Sequence, residues 1–307
     1  AKNKNCLIFY TDEDCISNSG IRKNPFFKTS WNKELFISDP YYSGIWAVKG
    51  ILWNSVFSEA DKNTNNLNRI IYKLILNHNT DLEKHILHLP LITFHRYLKY
   101  KNSTRSFASI ENKKLIKNYL LNSEVTKISF LDIKIHPDNK GYQTIWKVPS
   151  NSLVSIIIPT KDNHELLKSC IKSIYENSPN VNFEIIIINN DSNQEATKQY
   201  LKCLKNIDLI KIIDIPGAFN FSKFNNQASK FAKGNVFLFL NNDVLFLKSD
   251  WGRSLASYAL KKGVGCVGGK LFYEDRTIQH GGVILGIGGV AGHSHKYFSE
   301  NASGYQS

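Results

Sequence analysis

The stretch VFLFLNND, Val236–Asp243, decides the fold class. It opens with five apolar residues, a composition typical of a short buried strand, and then changes abruptly to Asn241, Asn242 and Asp243. In an open α/β sheet, ligands bind just outside the carboxyl ends of the strands. A carboxylate delivered there can hold a hard divalent cation, which in turn holds phosphate oxygens. Taken alone, Asn-Asn-Asp is more typical of a simple turn, so the binding-site interpretation depends on the surrounding sequence.

The surrounding sequence alternates between strand patterns and helix patterns. Apolar runs predict strands at Val154–Ile158, which is stopped by Pro159, and at Glu184–Ile188 and Leu209–Ile215. Apolar residues spaced by three and four predict a helix after each strand, and Asp162 and Glu165 have the capping-box spacing at the head of the first. This alternation is typical of parallel βαβ units. We therefore predict an α/β fold with a Rossmann-like parallel sheet.

The rest of the chain is less regular, with an α+β pattern before Pro149. Predicted strands are Cys6–Tyr10, His85–Phe94 (interrupted at Pro90), Ile128–Ile135, Gly141–Val148, Gly265–Tyr273 and Thr277–Leu285, and predicted helices include Asn66–Leu76 and Ile110–Leu121. The polar segment Val148–Ser152 is the best linker candidate. We predict two domains, residues 1–148 and 149–307.

Composition narrows the possible partners. The 307 residues carry a net charge of +13, but the lysines are spread along the whole chain and no RNA-binding signature or basic-aromatic cluster is present. We therefore predict no nucleic-acid partner. We assign the charge to attraction towards phosphorylated sugars or an anionic membrane surface, which is compatible with peripheral association at the inner face of the cell membrane.

Cysteine content and hydropathy indicate the compartment. The five cysteines are widely spaced and form no CxxC pair, which argues against a disulfide framework and fits a reducing cytoplasm. No run approaches the ~18 apolar residues that a membrane-spanning helix needs, and the amino end does not resemble a signal peptide. The sequence contains no methionine, from which we expect that it is a piece of a longer protein.

Five segments between Val154 and His295 resemble the family 2 glycosyltransferases, especially the rhamnosyl- and O-antigen-type members. In chain order they are VSIIIPTKDNHELLKSCIKSI, EIIIINNDS, PGAFNFSKFNNQA, AKGNVFLFLNNDV and GKLFYEDRTIQHGGVILGIGGVAGH. Five motifs in the family's order and spacing are far more specific than a single glycine-rich loop. The resemblance implies a GT-A fold and a nucleotide-diphosphate sugar donor, with a UDP- or dTDP-sugar favoured.

The resemblance also assigns binding residues. Those expected at the base and ribose are Pro159, Thr160, Asp162, Asn189 and its neighbour Asn190; those expected near the diphosphate and donor sugar are Asn220, Lys223 and Asn226; and the metal motif is Asn241, Asn242 and Asp243. Asn189 stands where the family usually has an aspartate that reads the base. Of the family's Asp-X-Asp metal motif only the last carboxylate is kept, so Asp243 is the implied ligand of Mg²⁺ or Mn²⁺.

The chemistry of sugar transfer explains the need for a cation and a base. A nucleotide-diphosphate leaving group gains negative charge as its bond to the sugar breaks, and a cation stabilises that charge. A general base must also take the proton of the acceptor hydroxyl, and the resemblance implies that this base lies beyond Ser307. Glu274 and Asp275 are better explained by a turn beside Arg276.

Two histidines follow the glycine-rich segment Gly286–Gly292. On a strand, His293 and His295 would point the same way and could contact a metal ion or a diphosphate. The alternative is a solvated loop that needs only the flexibility of glycine, and this is the interpretation we favour.

The first part of the chain resembles the carboxyl half of an upstream domain of the same family. The matching segments are Phe9–Asp14, Asn24–Lys28, Trp31 and Leu87–Arg96. Where such domains usually carry an acidic cluster with the base, the segment Asp61–Asn68 is rich in asparagine. Asp12 and Asp14 look like a metal motif without its donor-binding half, and we expect them to contribute little to nucleotide binding.

These patterns together predict a bacterial glycosyltransferase that moves a sugar from a nucleotide-diphosphate donor to a saccharide or lipid-linked acceptor during surface polysaccharide synthesis. Two rival functions stay open. A catalytically inactive transferase-like scaffold or saccharide-binding module would explain why Asn189 and Asn241 replace carboxylates. A nucleotidyltransferase would usually carry a first loop rich in glycine and arginine. The segment Pro159–Asp162 contains neither residue type, which argues against this function.

Overall fold

The computed structural model describes residues 5–38, 41, 44–57, 67–76, 80–97, 108–122, 130–136, 141–300 and 302. The chain forms two compact units: Ala1–Ile145 together with Lys270–Ser307, and Trp146–Gly269. The predicted boundary between residues 148 and 149, and the interpretation as two half-domains, stay predictions. Within the described ranges, no helix combines the length and the apolar character that crossing a bilayer would require.

The first unit is built on the long strand β1. Its elements in chain order are β1 (Ile8–Ile16), β2 (Arg22–Phe26), α1 (Lys33–Ser38), β3 (Trp46–Val48), α2 (Gly50–Val56), α3 (Leu67–Leu76), a 3₁₀ helix (Thr80–His85), β4 (Ile86–Tyr97), α4 (Ile110–Asn122), β5 (Phe130–Ile135) and β6 (Tyr142–Trp146). Strand β1 pairs antiparallel with β2 and β3 and parallel with β4, while β5 pairs with β6. The rings of Tyr10, Phe36 and Tyr72 are fully buried and form much of the core.

Two strands of this unit run further than the sequence predicts. Strand β1 continues past Tyr10 through the polar segment Thr11–Asp14, alongside β4. Strand β4 continues through Pro90, because the pairing jumps from Leu89 to Ile92 and leaves Pro90 in a bulge, where the missing N–H of proline is tolerated. The asparagine-rich residues 61–66 lie outside the described residues.

The second unit is a parallel sheet covered by helices. Its elements are β7 (Leu153–Thr160), α5 (His164–Glu176), β8 (Asn182–Asn189), α6 (Glu195–Leu204), β9 (Ile210–Asp214), α7 (Phe221–Ala228), a 3₁₀ helix (Ser229–Phe231), β10 (Val236–Phe239) and α8 (Trp251–Ala259). Neighbouring strands all pair parallel, in the order β10-β7-β8-β9. This is the βαβ arrangement that the sequence predicts.

Runs of isoleucine give this sheet two buried faces. On one face Ile156, Ile158, Ile185 and Ile187 pack with Leu167, Ile174, Leu201 and Leu204 of α5 and α6; on the other, Ile157, Ile186 and Ile188 pack with Phe224 and Ala228 of α7. Side chains alternate across a strand, so consecutive apolar residues are required when both faces are covered. Each isoleucine buried in this way contributes about 1.5–3 kcal/mol relative to exposure.

The sequence predicts that Pro159 stops β7, and this is wrong. Strand β7 continues to Thr160, which pairs with Asn189 of β8. On the other side of β7, the ladder with β10 closes with a hydrogen bond of 3.0 Å from the Leu240 N–H to the Ile157 carbonyl. Pro159 therefore ends the pairing with one neighbour but not with the other.

The strands described from Lys270 onward are short. These are β11 (Leu271–Phe272), β12 (Ile278–His280), β13 (Val283–Leu285) and β14 (Ala291–His293); β11 pairs with β12 and β13 with β14, both antiparallel. The longer strand predicted at Thr277–Leu285 is interrupted at Gly282, whose φ of 115° lies in the left-handed region that favours glycine.

Candidate functional site

Polar residues meet at the carboxyl ends of the parallel strands. Strands β7, β8 and β9 end at Thr160, Asn189 and Asp214, which the strand register places side by side. The Asn189 amide donates to an Asp214 carboxylate oxygen at 2.7 Å, and the Asn190 N–H donates to the Thr160 carbonyl at 2.9 Å. These residues form one hydrogen-bonded polar row where the sheet opens towards solvent.

The segment after β10 joins this row. It forms a turn, here called the β10 turn (Asn241–Val244), closed by a hydrogen bond of 3.4 Å from the Val244 N–H to the Asn241 carbonyl. Within it, the Asn242 amide donates to the Thr160 hydroxyl at 3.0 Å. Asp243 follows at the other central position of the turn, and its side chain is exposed. The structure thus places Asp243 one residue from a direct contact with the polar row.

The capping-box spacing predicts that Asp162 lies at the head of helix α5, and this is wrong. The residue before the helix is Asn163, which is left-handed with a φ of 52° and makes no capping hydrogen bond through its side chain. The Asp162 carboxylate instead accepts hydrogen bonds from the N–H groups of Asn193 and Gln194, at 2.7 and 2.9 Å, and its own N–H donates to the Ser192 hydroxyl at 2.9 Å. Asp162 therefore ties the loop after β7 to the loop after β8.

Asn190 organises a second pair of loops. It is only 1% exposed, and its amide donates to the carbonyls of Ile215 and Gly217 at 3.1 and 2.9 Å, so it fixes the loop after β9. Within residues 141–300, its side-chain oxygen accepts no hydrogen bond. A buried acceptor of this kind costs free energy unless a donor completes it. The Asn190 amide thus holds the loop after β9, while its side-chain oxygen is a buried acceptor that remains available beneath the site.

The residues predicted near the diphosphate lie on α7. The Asn220 side chain caps this helix by accepting a hydrogen bond from the Lys223 N–H at 2.9 Å. The side chains of Asn220, Lys223 and Asn226 are exposed. Asn220 and Lys223 lie at the amino end of the helix, which carries a partial positive charge, whereas Asn226 lies in its last turn.

The surroundings of Asp243 fit a cation that is held mainly by phosphate. Among the described residues, no three side chains of histidine, cysteine, aspartate or glutamate cluster as metal ligands, so a closed zinc site is not built there. Ions such as Mg²⁺ need only one or two carboxylates, since water and substrate phosphates complete their shell. Cys170 lies beneath the turn; burial and the charge of Asp243 raise the pKa of its thiol to about 12, so it is no thiolate ligand.

The histidines after the glycine-rich segment do not share a strand face. Strand β14 ends at His293, and His295 is left-handed with a φ of 58°. His293 Nδ1 lies 2.9 Å from His280 Nδ1, whereas His295 Nδ1 lies 2.5 Å from the Ser294 hydroxyl. The two rings therefore lack the common orientation that a shared strand would give them, and the solvated loop favoured from the sequence stays a prediction. The pairing with His280 was missed because it joins β12 to β14, which are not neighbouring strands.

Glu274 and Asp275 lie in a turn, which agrees with the interpretation favoured from the sequence. The Arg276 N–H donates to the Tyr273 carbonyl at 3.0 Å. Asp275 accepts hydrogen bonds from the hydroxyl and the N–H of Thr277, at 2.7 and 2.9 Å, and these lower the pKa of its carboxyl. A lowered pKa opposes the role of general base. The base expected beyond Ser307 stays a prediction.

The first unit buries its own row of carboxylates. Asp12, Glu13 and Asp14 lie inside β1 and are 2–4% exposed. Their partners are Lys28 and His88 for Asp12, Arg96 and Lys28 for Glu13, and Arg22 and His95 for Asp14. Because buried charges are stable only when they are paired and hydrogen-bonded, this set of partners explains how β1 can run through an acidic segment.

Comparison with known proteins identifies the second part of the chain. Residues 155–295 match Glycosyl transferase family 2, and the match covers every residue predicted to bind nucleotide or metal. This part of the chain belongs to family 2 of the glycosyltransferases. The parallel sheet and its flanking helices are accordingly those of the GT-A α/β fold, as predicted.

Two relatives match nearly the whole chain. An uncharacterized protein of Sinorhizobium fredii, y4gI, is 29% identical over 304 residues, which are 97% of this chain and 33% of that protein. The O-antigen biosynthesis protein RfbC of Myxococcus xanthus is 29% identical over 293 residues, which are 93% of this chain and 22% of that protein. The chain therefore spans a third or less of the relatives it matches.

Solved structures of glycosyltransferases overlap the chain only in part. The mannosyltransferase PcManGT from Pyrobaculum calidifontis, in complex with GDP-Man and Mn²⁺, is 18% identical and covers 36% of this chain and 32% of its own, with a TM-score of 0.32. An overlap of this size is too small to transfer a property from that protein to this one.

Proposed function

We propose that this protein is a glycosyltransferase that moves a sugar from a nucleotide-diphosphate donor to a saccharide or lipid-linked acceptor in bacterial surface polysaccharide synthesis. The observation that carries the proposal is the polar row at the carboxyl ends of β7–β10, inside the segment that matches the family. Such strand ends are where open α/β sheets bind nucleotides. The likeness to an O-antigen biosynthesis protein supports a polysaccharide product.

In this proposal the donor lies along the polar row. Pro159, Thr160, Asp162 and Asn189, with Asn190 beneath them, form the side for base and ribose, with a UDP- or dTDP-sugar as the favoured donor. The diphosphate then faces α7, where Asn220 and Lys223 offer a polar group and a cation close to the positive helix end, and Asn226 offers a further polar group in the last turn. The compact positive charge of the Lys223 ammonium would attract the phosphates.

Asp243 is the protein residue that would hold Mg²⁺ or Mn²⁺. When bound, the cation would neutralise the negative charge that develops on the diphosphate leaving group. The contribution of the chain is to present one exposed carboxylate at a fixed place. Asn242 assists by binding Thr160, which links the β10 turn to the row that holds the nucleotide.

The test is the metal dependence of nucleotide binding. Calorimetric titrations with UDP, dTDP and GDP, each with and without Mn²⁺, should show a gain in affinity with the metal in the native protein. Asp243→Ala should remove that gain, a loss on the order of tenfold or more, because it deletes the carboxylate to which the proposal assigns the cation. Its melting temperature should be unchanged, since the side chain is exposed.

Asp208→Ala is the matched control, because Asp208 is also an exposed aspartate of the same unit. Undiminished Mn²⁺-dependent affinity in Asp243→Ala would contradict the assignment of the metal ligand. If the native protein bound a saccharide but no nucleoside diphosphate under any condition, the transferase proposal would give way to the saccharide-binding scaffold.

We place this activity in the cytoplasm, where nucleotide sugars and reduced cysteines are both expected. The net charge of +13 supports attraction to the anionic inner leaflet of the cell membrane. Peripheral association of that kind would bring a lipid-linked acceptor within reach of the donor site.

A further inference from the structure

Side chains on one side of helix α5 form hydrogen bonds with the main chain that follows the β10 turn. Cys170, Ser173 and Asn177 are spaced by three and four residues, which places them on the same side of the helix. The Ser173 hydroxyl accepts a hydrogen bond from the Phe246 N–H at 3.2 Å, and the Asn177 amide donates to the Phe246 carbonyl at 3.0 Å. The Cys170 thiol, a weaker donor, lies 3.8 Å from the Asn241 carbonyl.

Each polar group in this contact has a defined role. The Ser173 hydroxyl gives its proton to the Cys170 carbonyl at 2.8 Å, which leaves a lone pair for the Phe246 N–H. The Asn177 amide uses one proton on the Ser173 carbonyl and the other on the Phe246 carbonyl, both at 3.0 Å. Helix side chains thus satisfy both main-chain groups of Phe246, although this residue belongs to no helix or strand.

The side chain of Phe246 strengthens the same attachment. Its ring stacks on the Trp251 ring with centroids 3.9 Å apart and an angle of 20° between the planes. Upstream of the turn, the chain is held by the hydrogen bond from Leu240 to Ile157 and by the contact between Asn242 and Thr160. The β10 turn is therefore fixed to β7 where it begins and to α5 two residues after it ends.

We propose that Ser173 and Asn177 are positioning residues for Asp243. This inference rests on the proposed role of Asp243 in cation binding. The two side chains act through the main chain of Phe246 and touch neither cation nor nucleotide. They hold the chain just after a short turn whose start is already held by β7, and so they fix the exposed carboxylate before the ligand arrives. A ligand group ordered in advance loses less conformational freedom on binding, so affinity for the cation rises.

The first measurement needs no ligand. Amide hydrogen exchange at Phe246 should be roughly three- to tenfold faster in Ser173→Ala than in the native protein, because the N–H loses its acceptor. Ser173→Thr keeps the hydroxyl and should restore slow exchange. Ser169→Ala, on the exposed side of the same helix, is the matched control and should leave the rate unchanged. Unchanged exchange at Phe246 in Ser173→Ala would overturn the proposed attachment.

The second measurement separates positioning from a merely structural role. In Ser173→Ala and Asn177→Ala, the Mn²⁺-dependent gain in nucleoside diphosphate affinity should fall roughly three- to tenfold, while the metal-free affinity stays native. Asn180→Ala is the exposed control for the second variant. Equal losses with and without Mn²⁺ would indicate general damage and overturn the proposal.

The outcomes for the inference and for the proposed function can be told apart. If Asp243→Ala loses the Mn²⁺-dependent gain but Ser173→Ala and Asn177→Ala keep it, positioning by α5 is wrong and the role of Asp243 stands. If Asp243→Ala keeps the gain, both are wrong, because the turn would then carry no metal ligand.

Discussion

At the scale of single residues, Asp162 connects two loops that border the candidate nucleotide site. Its carboxylate accepts two main-chain hydrogen bonds from the loop before α6. Hydrogen bonds to a charged group contribute roughly 1.5–3 kcal/mol each, and partial exposure reduces this. We expect Asp162→Ala to lower the free energy of unfolding by about 2 kcal/mol, with Asp162→Asn closer to native because one acceptor oxygen remains.

Urea unfolding of these variants provides the check, with Asp208→Ala as the exposed control. Native stability in Asp162→Ala would show that water replaces the two hydrogen bonds without loss. In that case the loop connection would have to be attributed to the hydrogen bond between the Asp162 N–H and Ser192.

The misplacement of Asp162 shows what a local pattern can and cannot predict. Its spacing to Glu165 is that of a capping box, but Asp162 and Asn163 are both left-handed, with φ near 53° and 52°, and turn the chain before the helix begins. The partners of its carboxylate lie 31 and 32 residues further along the chain. No short-range pattern contains those partners, so the role of Asp162 could be found only in the folded protein.

At the scale of single elements, β1 contains a residue whose ionisation links stability to pH. Burial raises the pKa of Asp14, but hydrogen bonds from His95 and Arg22 outweigh burial and hold the pKa below its ordinary value of 3.8. Ionised Asp14 therefore stabilises the folded state above about pH 4, and this contribution is lost as the pH falls through the lower, folded-state pKa.

We predict that Asp14→Asn lowers stability at pH 7 by roughly 1–3 kcal/mol and weakens the fall in stability below about pH 4. Urea unfolding between pH 3 and pH 7 measures both effects. Nucleotide affinity should stay native, in line with the expectation that Asp12 and Asp14 contribute little to binding. Loss of nucleotide binding as complete as in Asp243→Ala would contradict that expectation.

The predictability of an element depends on where its stabilising partners lie. The isoleucine runs of β7 and β8 are sufficient to predict buried parallel strands, because each residue carries its own apolar side chain to the core. The length of β1 was not predictable, since its acidic residues need His88 and His95, which lie more than 70 residues away on β4.

At the scale of the whole molecule, the net charge of +13 should assist the capture of an anionic donor. Attraction of this kind is screened over about 8–10 Å at ordinary salt. We predict that raising NaCl from about 50 to 300 mM lowers the affinity for a nucleoside diphosphate roughly two- to tenfold. The affinity for the uncharged nucleoside, measured by the same titration, should not change. Equal salt dependence of the two ligands would exclude a role for the net charge.

Pro159 determines where β10 leaves the sheet. The carbonyl of Ile157 receives the last hydrogen bond of that ladder, from Leu240. Residues two apart on a parallel strand face the same neighbour, so Pro159 is the next residue of β7 to face β10, and its nitrogen carries no hydrogen to donate. The ladder loses its next hydrogen bond here, and the chain turns through Asn242 and Asp243. The candidate cation ligand thus follows directly on the point where proline has no hydrogen atom to donate.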